Sequence, residues 1–378
     1  MPTPRISIAT LGGTLSMQHQ QGGEGITPAL AGDALLATVP AISDIAQIGV
    51  QSLSLVPSAS LDFNLLLQVL AWADRQIEEG ADGVVVTQGT DTLEETAAFL
   101  DYLWTHDAPL VVTGAMRPAG QAGADGPGNI LDATLVACTA DSRARGVLVV
   151  MNAEVHEARH VRKSSTLALH AFTSPVVGPV GLMIEGRACF LRPARARMLV
   201  PLPTRTHQKI ALLEATLAAD TLLLEQLLPL GYEGLVIAGF GAGHVSASWS
   251  NVLARIATKI PVLVGTRTGS GPTAQCTYGF EGGEIGLIRN GLRMCGLLCP
   301  RKARLLLWLL AGSGRQDDLV DYLREYTLPT PGRPQLSSRS IRRLSSAQRS
   351  HPLRIHLRKQ CTAALHTRHH PHQVAQHP

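Results

Sequence analysis

Short, fully apolar runs that break on glycine and give way to amphipathic helices recur along this chain, and that rhythm constrains the fold more than any other feature. Ile6–Leu11 ends on Gly12 and Gly13. Gly83–Thr87 leads into Gln88-Gly89-Thr90-Asp91, Leu110–Thr113 into Gly114, and Gly146–Met151 into Asn152. A strand that is apolar at every position, rather than at alternate ones, is buried on both faces. Between the runs, spacing predicts helices over Gly32–Val39, Asn64–Glu79, Leu93–Trp104 and Asn129–Thr139. Strands alternating with helices imply an N-terminal α/β domain over residues 1–195, a parallel sheet with helices on both faces. A second set follows, with strands at Gly234–Gly239 and Val262–Gly265 and helices over 246–259 and Pro300–Leu310. It reads as a smaller C-terminal α/β domain over 210–332. Residues 196–209, with Pro201 and Pro203 and no clear period, read as the linker.

The charge divides along the chain. The net charge is +4, yet residues 1–332 carry 24 Lys and Arg against 29 Asp and Glu, a balance of −5. Residues 333–378 carry nine basic groups, half of the 14 histidines and no acid. Apolar periodicity fails there, so a disordered basic tail is expected. The basic character belongs to that appendage, and it gives no reason to expect nucleic-acid binding by the body. No run approaches the roughly 20 apolar residues of a membrane span. The first residues lack the pattern of a secretory signal, so a cytoplasmic protein is expected. Six scattered cysteines, among them Cys295 and Cys299, lack the four-ligand spacing of a zinc site and read as reduced, mostly buried thiols.

Open α/β sheets place their sites at the carboxyl ends of strands, and this sequence concentrates Gly, Thr, Asp and Lys there. Amide hydrolysis needs a nucleophile, a base for its proton and donors for the oxyanion. Thr14 after Gly12-Gly13, Thr90-Asp91 after Gly89, and Lys163 beyond the strand Gly146–Met151 supply such parts. Plainer readings stand beside these. Thr14 suits a turn, Asp91 an Asx-turn before a helix, and Lys163 a solvated basic face with Arg159 and Arg162. Thr92-Leu-Glu-Glu95 matches a capping box, which makes Thr92 a helix cap. His156 and His160, four apart, suit one helix face, but no third metal ligand accompanies them. The Gly12-Gly13 turn lacks the spacing of a phosphate-binding loop.

Longer motifs narrow the choice. Gly12-Gly13-Thr14, the ten-residue segment Thr87-Gln-Gly-Thr-Asp-Thr-Leu-Glu-Glu-Thr96 and Val112-Thr-Gly-Ala-Met-Arg-Pro118 resemble signatures of the bacterial L-asparaginase/glutaminase family of threonine amidohydrolases. Ala124-Asp-Gly-Pro-Gly-Asn129, Gly146–Asn152, Val161-Arg-Lys-Ser164 and Lys302-Ala-Arg-Leu-Leu-Leu307 extend the resemblance over about residues 5–330. It implies hydrolysis of the L-asparagine side-chain amide without a cofactor or metal, in a homotetramer or homodimer. It implies Thr14 as nucleophile and Thr90, Asp91 and Lys163 as the second part of the machinery. Ser58, Asp91, Gly13 and Gly89 would hold substrate, and His244 and Glu284 would serve a neighbouring subunit's site. The loop Gln20–Thr27 lacks the family's usual tyrosine, Ala59 and Ser60 replace a glutamine and an aspartate, and Gln88 replaces a histidine. Three alternatives stay open on this reading: a glutaminase, an asparaginase-like amidotransferase subunit, and a catalytically weak amino-acid-binding homologue.

Overall fold

A computed structural model describes residues 3–13, 17–19, 26–28 and 37–327. Thr14 and the expected tail at 333–378 lie outside the described residues, as does most of the helix expected over Gly32–Val39. Of that helix, Ala37 and Thr38 form a turn.

Five parallel strands form one end of the large sheet: β1 (Arg5–Thr10), β4 (Gln47–Ser52), β5 (Gly83–Thr87), β6 (Leu110–Thr113) and β7 (Val147–Met151), with β4 at the edge. Between β1 and β4 come β2 (Met17–His19) and β3 (Ile26–Pro28), a separate antiparallel pair. Three antiparallel strands extend the far edge, β8 (Glu154–Glu157), β11 (Gly181–Ile184) and β12 (Arg187–Phe190), so the order is β12-β11-β8-β7-β6-β5-β1-β4. Apolar periodicity did not reveal this flank, because its strands are short and half exposed. The reversal from β7 to β8 is a two-residue turn, Asn152-Ala153, with both residues at positive φ, the geometry that matches strand twist in tight hairpins. Between β8 and β11 lies a small hairpin of β9 (Arg162–Lys163) and β10 (Phe172–Thr173).

Alternate strand residues divide between two cores, as a pleated sheet requires. Val84, Val86, Val112, Val147 and Val149 face α1 (Phe63–Glu78) and α2 (Leu93–Leu103). Ile6, Ile8, Val85, Val111, Leu148 and Val150 face α3 (Gly126–Cys138). α1 starts cleanly because Asp62 accepts a hydrogen bond from the Leu65 amide at 2.8 Å, a cap worth about 1 kcal/mol.

The smaller sheet is parallel, in the order β13 (Ile210–Glu214), β14 (Gly234–Gly239), β15 (Val262–Thr266) and β16 (Arg293–Met294). After β13 comes the short α4 (Leu222–Gln226); α5 (Ala247–Ala257) packs on one face through Trp249, Leu253 and Ile256. After α6 (Glu284–Arg289), α7 (Pro300–Ser313) covers the other face and also packs on α2, which joins the cores of the two sheets. α7 opens on Pro300 and stops at Gly314, which takes the left-handed conformation, as proline and glycine do at these positions. α8 (Leu319–Arg324) ends the described chain. Residues 196–209 have neither strand nor helix, yet they are tied down. Arg197 pairs with Asp101 at 2.9 Å, and Gln208 donates to the Trp308 carbonyl at 2.8 Å. No described helix is long and apolar enough to cross a membrane.

Candidate active site

In the large sheet the next strand after β1 is β4, on one side, and the next after β5 is β6, on the other, so the carboxyl ends of β1 and β5 form the switch point at which open α/β sheets place their sites. Gly13 leaves β1 at φ +85°, and a Cβ on it would lie 2.0 Å from the Gly89 amide nitrogen. A Cβ on Gly89 would lie 2.7 Å from Ser58 Oγ. Only glycines at both positions let the turns after β1 and β5 touch each other and Ser58.

Ser58, in a short 3-10 turn beyond β4, is buried, whereas Ala59 and Ser60 are exposed. Its hydroxyl accepts a hydrogen bond from the Asp91 amide at 3.2 Å, and its carbonyl accepts one from the Thr92 hydroxyl at 2.9 Å. This corrects the capping-box reading. Thr92 does occupy the N-cap position of α2, but its hydroxyl does not cap the helix. It is drawn instead to the Ser58 carbonyl, so the turn carrying Thr90 and Asp91 is stitched to the turn carrying Ser58. Within the same turn, buried Gln88 donates to the adjacent Gly89 carbonyl at 3.1 Å.

Lys163 enters from β9. Its Nζ donates to Thr90 Oγ1 at 2.9 Å and to Asp91 Oδ1 at 2.9 Å. Thr90 is 5% exposed, whereas the Asp91 side chain is 66% exposed. A buried hydroxyl, a half-buried amine and an open carboxylate thus meet at one strand end. Asp91 and Lys163 line a cavity of about 340 Å³ with Ser164, Ser165 and Thr166.

The reading of Lys163 as part of a solvated basic face is overturned. Arg159 is 8% exposed, pairs with Glu325 at 3.2 Å and stacks over the Tyr326 ring. Arg162 donates to the Gly269 carbonyl. The three basic residues serve three different places.

Asp125 and Asn129 explain two further motifs. The Asp125 carboxylate accepts from the amides of Met116 and Arg117 at 2.8–3.1 Å. The Asn129 side chain donates to the Gly114 carbonyl at 2.9 Å and accepts from the Asn152 amide at 3.0 Å. Together they fix the loops after β6 and β7.

His244 and Glu284 come together elsewhere, at the end of the small sheet, 3.4 Å apart. His244 packs edge-on against Tyr278 and Phe280. Burial favours a protonated Glu284. The amides of Tyr278 and Thr277, its own amide and His244 oppose burial, and together they hold the carboxyl below its usual range. Among the described residues, no hydrogen bond or ion pair joins His244 or Glu284 to the Thr90–Lys163 group.

The paired-histidine reading fails on geometry, because His156 lies in β8 and no helix carries it. It is fully buried and bonded to Ser174 at 3.0 Å, and burial with nearby Lys302 lowers its pKa to about 4. The five described cysteines are free, but only Cys295 and Cys299 are buried, and Cys276 is exposed.

A sequence profile described as "Asparaginase, N-terminal" matches residues 5–195, and one described as "Glutaminase/Asparaginase C-terminal domain" matches residues 209–322. The chain belongs to the asparaginase family. It is 35% identical over 313 residues to a probable periplasmic L-asparaginase of Haemophilus influenzae, covering 81% of this chain and 88% of that one. It is 32% identical over 318 residues to L-asparaginase 2 of Escherichia coli, again covering 81% and 88%. Among asparaginase-fold structures it resembles the probable cytoplasmic L-asparaginase of Campylobacter jejuni at a TM-score of 0.77 and 29% identity. That match covers 85% of this chain and all of the other.

Sequence reasoning missed Gln88, Thr92, Asp125 and Asn129 as residues that hold the candidate site in shape. Their presence inside the longest motifs was the available signal. Their partners lie on other strand ends, which linear spacing does not reveal.

Proposed function

We propose that this chain hydrolyses the side-chain amide of L-asparagine to L-aspartate and ammonia. The contact of Lys163 Nζ with both Thr90 Oγ1 and Asp91 Oδ1 carries the reading. In this reading the Thr14 hydroxyl attacks the amide carbon, its proton passes to the amide nitrogen, and the tetrahedral intermediate expels ammonia to leave an acyl ester on Thr14. Water, deprotonated through Thr90 and Lys163, then cleaves the ester, releases aspartate and returns the proton to the threonine oxygen. The chemistry consumes water alone and calls for no cofactor. Lys163 holds Thr90 in one orientation, and Asp91 anchors the lysine. The open face of Asp91 suits the substrate ammonium group, and Ser58 suits its carboxylate. The contacting backbones of Gly13 and Gly89 let a small ligand approach closely.

His244 and Glu284, joined to this cluster by no hydrogen bond or ion pair among the described residues, are assigned to the rim of a neighbouring subunit's site in a homotetramer or homodimer. The domain limits 1–195 and 210–332 and a cytoplasmic location belong to the same proposal.

The test is ammonia release from purified protein, with L-asparagine and L-glutamine compared at steady state, alongside single Thr14→Ala and Thr90→Ala variants. Each variant is expected to lose activity by roughly 10³-fold or more. Full activity surviving either change would overturn the mechanism.

A further inference from the structure

The motif Lys302-Ala-Arg-Leu-Leu-Leu307 takes no part in the reaction as proposed, yet its start makes unusual contacts. Arg301 and Lys302 occupy the first turn of α7, which holds no acidic residue. Cations there oppose the helix dipole, which favours anions at that end. Helix formation therefore does not account for them, and their partners must.

Arg301 reaches α2. Its Nη2 lies 2.7 Å from Glu94 Oε1, and the Glu94 side chain is 4% exposed. Glu94 sits in the first turn of α2, just after Thr90, Asp91 and Thr92. Lys302 reaches the other half of the site. It is 1% exposed, and its Nζ donates to the carbonyls of Ala158 at 2.6 Å and Val161 at 2.5 Å. Both carbonyls lie in the stretch that runs from β8 into Lys163. A fully buried lysine is rare unless its donors are met, and buried carbonyls in an irregular stretch need donors equally. Lys302 satisfies both demands at once.

We infer that Arg301 and Lys302 are positioning residues: from one turn of α7 they set the turn bearing Thr90 and Asp91 against the strand bearing Lys163. This rests on the proposed roles of those three residues. α7 covers the small sheet, so the contact geometry at Thr90 depends on a helix of the C-terminal half. The motif's place so late in the chain then has a reason in the chemistry of the first half.

The experiment uses the full chain and three variants, Lys302→Met, Arg301→Gln and Arg301→Lys. Ammonia release from L-asparagine gives kcat and KM, and amide hydrogen exchange is followed over 88–96 and 158–166. Lys302→Met is expected to speed exchange in 158–166 alone, and Arg301→Gln in 88–96 alone. Each is expected to lower kcat roughly 10- to 100-fold, as small displacements of reacting groups do, with KM within about threefold of the parent. Arg301→Lys, which keeps the charge facing Glu94, is expected to recover most of kcat. Exchange that rises evenly over the chain, or an unchanged kcat, or a loss confined to KM, would overturn the inference. A parent chain that releases no ammonia overturns the functional reading instead, and the exchange pattern then decides the clamp by itself. Should Lys302→Met fail to fold, the two Arg301 variants decide it.

Discussion

In the large sheet, β5 runs from Gly83 to Thr87 with every residue buried, turns through Gly89 and enters α2. In the small sheet, β14 runs from Gly234 to Gly239, equally buried, turns through Gly241 and Gly243 and enters α5. The frames match, but different groups reach them from outside. At β5 a separate antiparallel hairpin, β9 with β10, delivers Lys163 to a threonine and an aspartate. At β14 the first residue of α6, Glu284, meets His244 among aromatic rings, with its carboxylate held by two backbone amides. A strand–glycine–helix unit thus prepares a place for chemistry, and the visiting side chain decides which chemistry it is. One end brings a hydroxyl beside an amine. The other brings a buried carboxylate whose Oε1 is held by its own loop and whose Oε2 faces His244.

The sharpest way to break this contrast is Lys163→Met, which keeps the length and removes the amine. We expect kcat for ammonia release to fall by roughly 10²- to 10⁴-fold, with the thermal midpoint close to the parent's; near-parent activity would leave the two strand ends chemically alike. Next in size is an effect on β8, which leads into the hairpin that carries Lys163. The His156 pKa is lowered from 6.5 to about 4 in the folded chain. Above pH 6.5 the imidazole is neutral in folded and unfolded chains alike, and stability is complete. Below it the unfolded chain takes the proton first, so stability is lost between about pH 6.5 and pH 4 by up to about 3 kcal/mol. Urea midpoints measured across that range should slope downward with acid, and His156→Asn should make the slope shallower, leaving the share of His160, whose pKa burial lowers to about 3.

Glu284 tests the other strand end. Glu284→Ala leaves the amides of Thr277 and Tyr278 without their acceptor, and a loss of about 1–3 kcal/mol in unfolding free energy is expected. Glu284→Gln keeps an acceptor but drops the charge. A rise in KM for that variant alone would support a role at a neighbouring subunit's site, whereas unchanged kinetics would make the residue purely structural. The smallest effect is expected from Gly89→Ala. Its methyl would sit 2.7 Å from Ser58 Oγ, and we expect kcat/KM to fall about tenfold as the two turns part. An unchanged value would show that the close approach of Gly13, Gly89 and Ser58 does not shape the site.

Most of the fold was legible because its signals are local. Val84, Val85 and Val86 announce a strand buried on both faces, and Leu93–Leu103 shows a helical period within one window. The antiparallel flank was not legible. β8 carries Glu154, His156 and Glu157 within four residues, so its pattern is polar, and its place is set by pairing with β7. The helix face proposed for His156 and His160 failed for the same reason: spacing of four fits a helix, but hydrogen bonding to β7 imposes a strand. Thr92 stands at the cap position as expected, but its hydroxyl accepts no helix amide and donates instead to the Ser58 carbonyl, 34 residues away in sequence.

The amino-acid sequence by itself determined the order of strands and helices, the glycines where turns must touch, and a set of motifs dense enough to name a family. Those properties depend on residues within about one element of each other, where side-chain period and backbone freedom act directly. The tertiary structure alone decided that Lys163 faces Thr90 across 73 residues and that Arg159 and Arg162 turn elsewhere. It alone set His244 and Glu284 apart from that group, and it alone brought α7 against the segments carrying both halves of the site. Such encounters depend on how whole elements pack, and burial rewards the sum of many contacts without marking any single pair in the chain.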